Sequence, residues 1–268
     1  MIRTWAPDDF WQVAQPLIPA QSVRRQGGGK RRADDRAVLA AIVYLVQAGC
    51  SWWKLPTQMF GISRSTAHRR FTQWTADGLW ERLHQQFLHR LGVVSEIDWS
   101  RAMVDSIAVR ARKGDLTGPN PVDRGKPGSK IHVLCDRRGV PLTCLICAAN
   151  THDSRLLIPL LDSIAPIRVP RGRPRRRPGK LHADKAYDVP ALRAAIRDRG
   201  IKVRIARKGI ESSQRLGRHR WIVEACLNWL LRNRRLVRRY DRKAQHFQAF
   251  ADLACALLTY RRLLKATK

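Results

Sequence analysis

The spacing of apolar residues changes once along this chain, and that change divides it in two. Up to about residue 97 they recur every three or four positions, the period of helices that bury one face. Asp34 and Asp35 open the run RAVLAAIVYLVQAG, and its glycine closes it. From residue 99 the period drops to two. RAMVDSIAVRAR reads as a strand, and KIHVLCDRRGVPLTCLICAAN as two strands joined by the turn Asp136-Arg137-Arg138-Gly139. Asp153 and Ser154 then start a helix, SRLLIPLLDSI, and the prolines of RVPRGRPRRRPGK forbid regular structure. KLHADKAY is a strand, Asp188 caps the helix VPALRAAIRDRG, and IKVRIAR is a strand again. After a Gly/Ser-containing loop come a long helix, HRWIVEACLNWLLRNRRLVRRY, and a last one, QAFADLACALLTYRRLL.

The order of the second part is β-β-β-α-β-α-β-α. Three successive strands imply an antiparallel start, and the alternating units that follow imply parallel strands with helices on both faces. This predicts an α/β fold: a mixed five-stranded sheet of the ribonuclease H-like kind over residues 98–268, preceded by an all-α domain over 1–97. Within the helical part Gly61 makes a turn, and Ser63 or Ser65 caps a helix carrying His68, Arg69 and Arg70. That is a helix-turn-helix-like pattern, read as DNA-binding or, more plainly, as a packing and dimerisation bundle.

Charge narrows the class of partner. Lys and Arg number 52 against 21 Asp and Glu, a net charge of +31. Such self-repulsion is relieved by a polyanion; nucleic acid is the expected partner, and an anionic membrane surface is the alternative. No apolar run reaches the ~20 residues that span a bilayer, and the N-terminus lacks the apolar core of a signal peptide, so a cytoplasmic protein is expected. The six cysteines are scattered; Cys144 and Cys147 sit on one strand at a spacing that points them to opposite faces, which excludes a shared zinc.

Three acids stand out in this basic chain. Asp105 lies in the first strand and Asp184 at the tip of the fourth, which neighbours the first in this arrangement. Glu224 is the only acid on a stripe of the long helix that also carries Arg220, Asn228, Arg232, Arg235 and Arg239. Singly, each has a bland reading as a turn residue, a strand charge or an i,i+4 partner of Arg220. Together they suit two Mg²⁺ or Mn²⁺ ions, which prefer carboxylate oxygens and, about 4 Å apart, activate the attacking oxygen and stabilise the leaving oxygen of a phosphodiester. Lys185 beside Asp184 is placed to meet a phosphate. Asp123, Asp136, Asp153 and Asp188 read as turn or cap residues, and GRPRRRPGK as a solvated basic arm, because its spacing is not that of a phosphate loop.

The segments TGPNPVDRGKPGSKIHVLCDRRGVPL, ANTHDS, ADKAYD and GRHRWIVEACLNWLLRNRRLVRRYDR, with QAGCSWWKLP and FGISRSTAHRRFTQWTADGLW before them, closely resemble bacterial insertion-sequence transposases of the DDE class, in the insertion-sequence-five group. The resemblance implies that Asp105, Asp184 and Glu224 are the metal-binding triad and that Arg220, four residues before the glutamate, positions DNA. The tyrosine and lysine of the wider pattern are replaced by Gly217 and Leu231, with Arg232 adjacent. It further implies binding of double-stranded element ends and target DNA, cleavage by metal-activated water, attack of the freed 3′-OH on target, a homodimer or higher multimer, and a bacterial, nucleoid-associated protein. A helix-turn-helix regulator or an inert transposase remnant is the alternative.

Overall fold

The computed structural model describes residues 1–20, 32–207 and 213–267, with the side chains of 213–220 outside the description. The N-terminal part is helical: α1 (Ile2–Trp5), α2 (Asp8–Ala14), α3 (Asp35–Ala48), α4 (Arg64–Ala76) and α5 (Leu79–Val93). Helix α3 begins where Asp34 accepts from the N–H groups of Arg36 and Ala37, and ends at Gly49 with φ +70°. That left-handed backbone favours glycine, and a Cβ there would meet the Arg234 Cβ at 2.6 Å. Ser63 caps α4 by accepting from the Thr66 N–H. Between Gly49 and Ser63 the chain makes 3₁₀ turns at Trp52–Lys54 and Thr57–Met59, so the turn between α3 and α4 is far longer than the three or four residues of a tight helix-turn-helix.

The sheet holds β1 (Ala102–Ala111), β2 (Gly118–Pro119), β3 (Pro127–Asp136), β4 (Pro141–Ala148), β5 (Lys180–Ala183), β6 (Lys202–Ile205) and β7 (Arg238–Arg239). Its five principal strands run β4-β3-β1-β5-β6; β1, β3 and β4 are antiparallel neighbours, and β1, β5 and β6 are parallel. This is the expected ribonuclease H-like order. Two short strands add to it: β2 pairs with β3, and β7 with the end of β1.

Helices cover both faces, α6 (Ser154–Asp162) and α7 (Pro190–Asp198) on one, α8 (Ser213–Leu231) and α9 (Ala244–Ala266) on the other. The alternation along β1 sets this division. Met103, Ile107 and Val109 pack with Ile222, Val223 and Cys226 of α8, whereas Ala102 and Val104 pack with Leu157, Leu160 and Ile196. Helix α9 is buried nearly all round from His246 to Tyr260 and packs on both β4 and the helical part, against α3, α4 and α5. Phe250 stacks on Phe71 with ring centroids 4.4 Å apart. One apolar core therefore runs from the helical part into one face of the sheet.

The long C-terminal helix is shorter than its sequence suggests. It ends at Leu231 instead of Tyr240; Asn233 leads a 3₁₀ turn, Arg234–Leu236, and the chain then enters β7. Apolar spacing continues through Leu236 and Val237, but Leu236 is buried by the turn, and Arg235 is held by partners off the helix axis.

Candidate catalytic site

The parallel register of β1 and β5 pairs Ala102 with Leu181 and Met103 with His182. Extended by two residues, the same register sets Asp105 level with Asp184, on strands that run about 4.8 Å apart. Both residues fall on the α8 face, in phase with Met103 on β1 and out of phase with Leu181 and Ala183, which pack on the opposite face. Asp105 Oδ1 accepts from the Ser106 N–H at 2.8 Å. Asp184 leads the 3₁₀ turn Lys185–Tyr187, where its Oδ1 accepts from the Ala186 N–H at 2.9 Å. Lys185 is half-buried in that turn.

Helix α8 crosses this face and contacts β1, β3 and β5. Ile222, Val223, Cys226, Leu227 and Leu230 anchor it, leaving Trp221, Glu224, Asn228 and Arg232 exposed. The side chain of Arg220 lies outside the described residues. Among the described residues, no three His, Cys, Asp or Glu side chains are gathered closely enough to hold a metal ion. The donors themselves are hard carboxylate oxygens, one inside β1 and one just past the end of the adjacent β5, the chemistry that Mg²⁺ and Mn²⁺ select.

Two of the expected DNA contacts point inward instead. Arg235 is 2% exposed; its guanidinium donates to the Cys50 carbonyl at 3.1 Å and to both oxygens of Asp241 at 3.0 and 3.2 Å. Arg70 is 4% exposed on α4, faces Asp35 at 3.9 Å and donates to Gln73. Arg235 leaves the stripe of Glu224 because the helix stops before it, and Arg239 is likewise buried against Phe247. His68 and Arg69 are exposed on α4, with the His68 ring edge-on to Trp52 at 5.0 Å. The arm from Arg171 to Arg177 is exposed throughout.

Two acids prove different from their sequence reading: Val189, not Asp188, holds the N-cap position of α7, and Asp188 pairs with Arg193 at 2.7 Å; Asp153 is the second. Asp153 precedes α6 but makes no capping bond to it. Its carboxylate instead takes Lys130 Nζ at 2.7 Å and the Ser106 hydroxyl at 3.0 Å. Tyr187 lies close by, 1% exposed, and its hydroxyl has no hydrogen-bond partner among the described residues. Burial raises the pKa of that hydroxyl, and the charges of Asp153, Asp105 and Asp184 push it further the same way. The charges of three aspartates thus act on one buried hydroxyl. Lys130 and Tyr187 lie in segments that carry the resemblance and Ser106 in none of them, and no spacing in the sequence links the three; the fold brings them together.

A family model described as a transposase DDE domain matches residues 100–259, and one described as a putative transposase of the IS4/5 family matches residues 7–84. The chain belongs to the DDE transposases of insertion sequences, enzymes that cleave and transfer DNA. Among its relatives is the putative transposase for insertion sequence element IS402 of Burkholderia cepacia, 45% identical over 150 residues, which are 56% of this chain and 71% of that one. An uncharacterized 16.2 kDa protein of the same element is 38% identical over 123 residues, 45% of this chain and 84% of the relative. Among solved structures, a piggyBac transposase synaptic complex with hairpin DNA matches 78% of this chain but spans only half of its own, at 12% identity and a TM-score of 0.40. So low a likeness adds nothing to the strand order itself. Among the described residues no helix is long and apolar enough to cross a membrane.

Proposed function

We propose that this transposase binds the terminal inverted repeats of its element, cuts the phosphodiester at the ends, and joins the freed 3′-OH to target DNA. The level pairing of Asp105 with Asp184 beneath α8 carries this reading. Asp105, Asp184 and Glu224 would hold divalent cations, two Mg²⁺ or Mn²⁺ per site. Bound there, the ions supply an activated oxygen nucleophile and offset the charge on the leaving oxygen. Lys185 meets a phosphate beside the carboxylates. Arg220, Asn228 and Arg232 extend the contact along α8, and His68 and Arg69 engage DNA from the helical part. Residues 1–97 serve for DNA binding and dimerisation and 98–268 for catalysis; a homodimer or higher multimer holds paired ends, in the bacterial cytoplasm at the nucleoid.

Pre-cut element ends incubated with target DNA and Mg²⁺ or Mn²⁺ test the reading. Strand-transfer products support it. Cleavage without joining makes the protein a nuclease, and a band shift with neither makes it a regulator or an inert remnant. Asp105→Ala, Asp184→Ala and Glu224→Ala each abolish joining and leave end binding intact; wild-type turnover in any one removes that residue from the triad.

A further inference from the structure

Ser106 follows Asp105 in β1 and, by strand alternation, faces the other side of the sheet. It touches the carboxylates on both sides. Its main-chain N–H donates to Asp105 Oδ1 at 2.8 Å, and its hydroxyl donates to Asp153 Oδ2 at 3.0 Å. Asp153 Oδ1 takes Lys130 Nζ at 2.7 Å, and the same ammonium reaches the Thr151 carbonyl at 2.9 Å. Lys130 projects from β3, where it pairs with Ala108 of β1, one alternation beyond Ser106 and His132. The chain Lys130–Asp153–Ser106 therefore ends on the carboxylate of Asp105.

Two physical points give this chain a purpose beyond filling space. A third aspartate behind two carboxylates is repulsive unless its charge is offset, and the Lys130 ammonium offsets it at contact distance. Next to it the buried Tyr187 hydroxyl stands without a partner among the described residues, within reach of the charges of Asp153, Asp105 and Asp184. A buried donor left unused carries a desolvation cost, and such a donor beside carboxylates marks a place that a further oxygen ligand completes.

We propose that Lys130, Asp153 and Ser106 form a positioning relay that holds the Asp105 carboxylate in its metal-binding orientation, an inference that rests on the cation-holding role of Asp105 proposed above. Asp153 fixes the Ser106 side chain from behind the sheet, and the Ser106 N–H then fixes the Asp105 carboxylate at the front. Hydrogen-bond partners behind a ligand typically change metal affinity by about 10-fold or more when removed.

The test is Mn²⁺ binding to the full chain, titrated by electron paramagnetic resonance in the absence of DNA, with a thermal melt of every variant. Asp105→Asn is expected to abolish tight binding. Asp153→Asn and Ser106→Ala are expected to weaken it by about 10-fold, and Ser106→Ala, which leaves the Lys130–Asp153 pair in place, does so without lowering the melting temperature. Ser106→Thr, which keeps the hydroxyl, is expected to restore it. Unchanged Mn²⁺ binding in Asp105→Asn overturns the metal reading and the relay with it. Loss in Asp105→Asn with wild-type binding in Asp153→Asn and Ser106→Ala overturns the relay alone. Should Asp153→Asn fail to fold, the Ser106→Ala and Ser106→Thr pair decides: equal loss in both means that the strand, and not the hydroxyl, was disturbed.

Discussion

Arg235 and Asp241 form a buried ion pair, with one guanidinium nitrogen 3.0 and 3.2 Å from the two carboxylate oxygens. The same guanidinium reaches the Cys50 carbonyl and lies over the Phe250 ring, so it fastens the turn after α8 to the helical part. Removing one member of a buried pair leaves the other charge stranded, at a cost of about 3–5 kcal/mol. Arg235→Ala is expected to destabilise the protein by that order in urea unfolding. Arg232→Ala, on the exposed side of α8, is expected to leave the midpoint unchanged.

The helix α4 gives a second contrast, between neighbours. Arg69 is exposed, whereas Arg70 is buried beside Asp35. A phosphate contact shows in the salt dependence of binding, at about one unit of slope per contact. Arg69→Ala is expected to reduce the slope of log K against log salt for element ends by about 1. Arg70→Ala is expected to lower stability and leave that slope unchanged, and the reverse pattern would exchange their roles.

Asp252 predicts a pH effect of definite sign. It accepts from Gln248 Nε2 at 2.8 Å and from the Cys144 thiol at 3.4 Å, in a small cavity that Glu81 and His84 also line. Burial raises its carboxyl to about 7, although both hydrogen bonds act to lower it. The native state then keeps a proton that the unfolded chain releases near pH 4, so this group's contribution to stability falls between about pH 4 and 7 and is level above. His84 acts oppositely: burial lowers it to about 4, and stability is lost as pH falls from about 6.5 toward 4. Asp252→Asn is expected to gain on the wild type as pH rises from 4 to 7, measured by urea midpoints. Parallel profiles would show that Asp252 does not titrate in this way.

Gly49→Ala combines two penalties, a left-handed φ of +70° and a clash with the Arg234 Cβ at 2.6 Å. A loss of about 2 kcal/mol or more is expected in equilibrium unfolding. A neutral substitution would mean that the loop after α8 shifts freely.

The sheet was legible because period-two spacing marks β1, β3, β4, β5 and β6, because the order of strands and helices points to the ribonuclease H-like arrangement, and because the Asp136–Gly139 turn declares its hairpin. That Asp105 and Asp184 lie on neighbouring strands follows from that order; that they stand level comes from the β1–β5 register, which sets the end of the short β5 against the interior of β1. The end of α8 was not legible: Leu236 and Val237 keep a helical spacing, and only the distant Cys50 carbonyl and Asp241 reveal why Arg235 leaves the helix. Asp153 was misread for a similar reason. Its place before a helix resembles a cap, while its partners Lys130 and Ser106 lie on two strands whose register the sequence does not state.

Helix α9 leaves the ribosome after every other element described, yet it fills the space between the helical part and the sheet. During synthesis α3, α4, α5 and β4 must wait with apolar surface uncovered until it arrives. A message cut short before residue 244 would therefore leave that apolar surface without the helix that covers it.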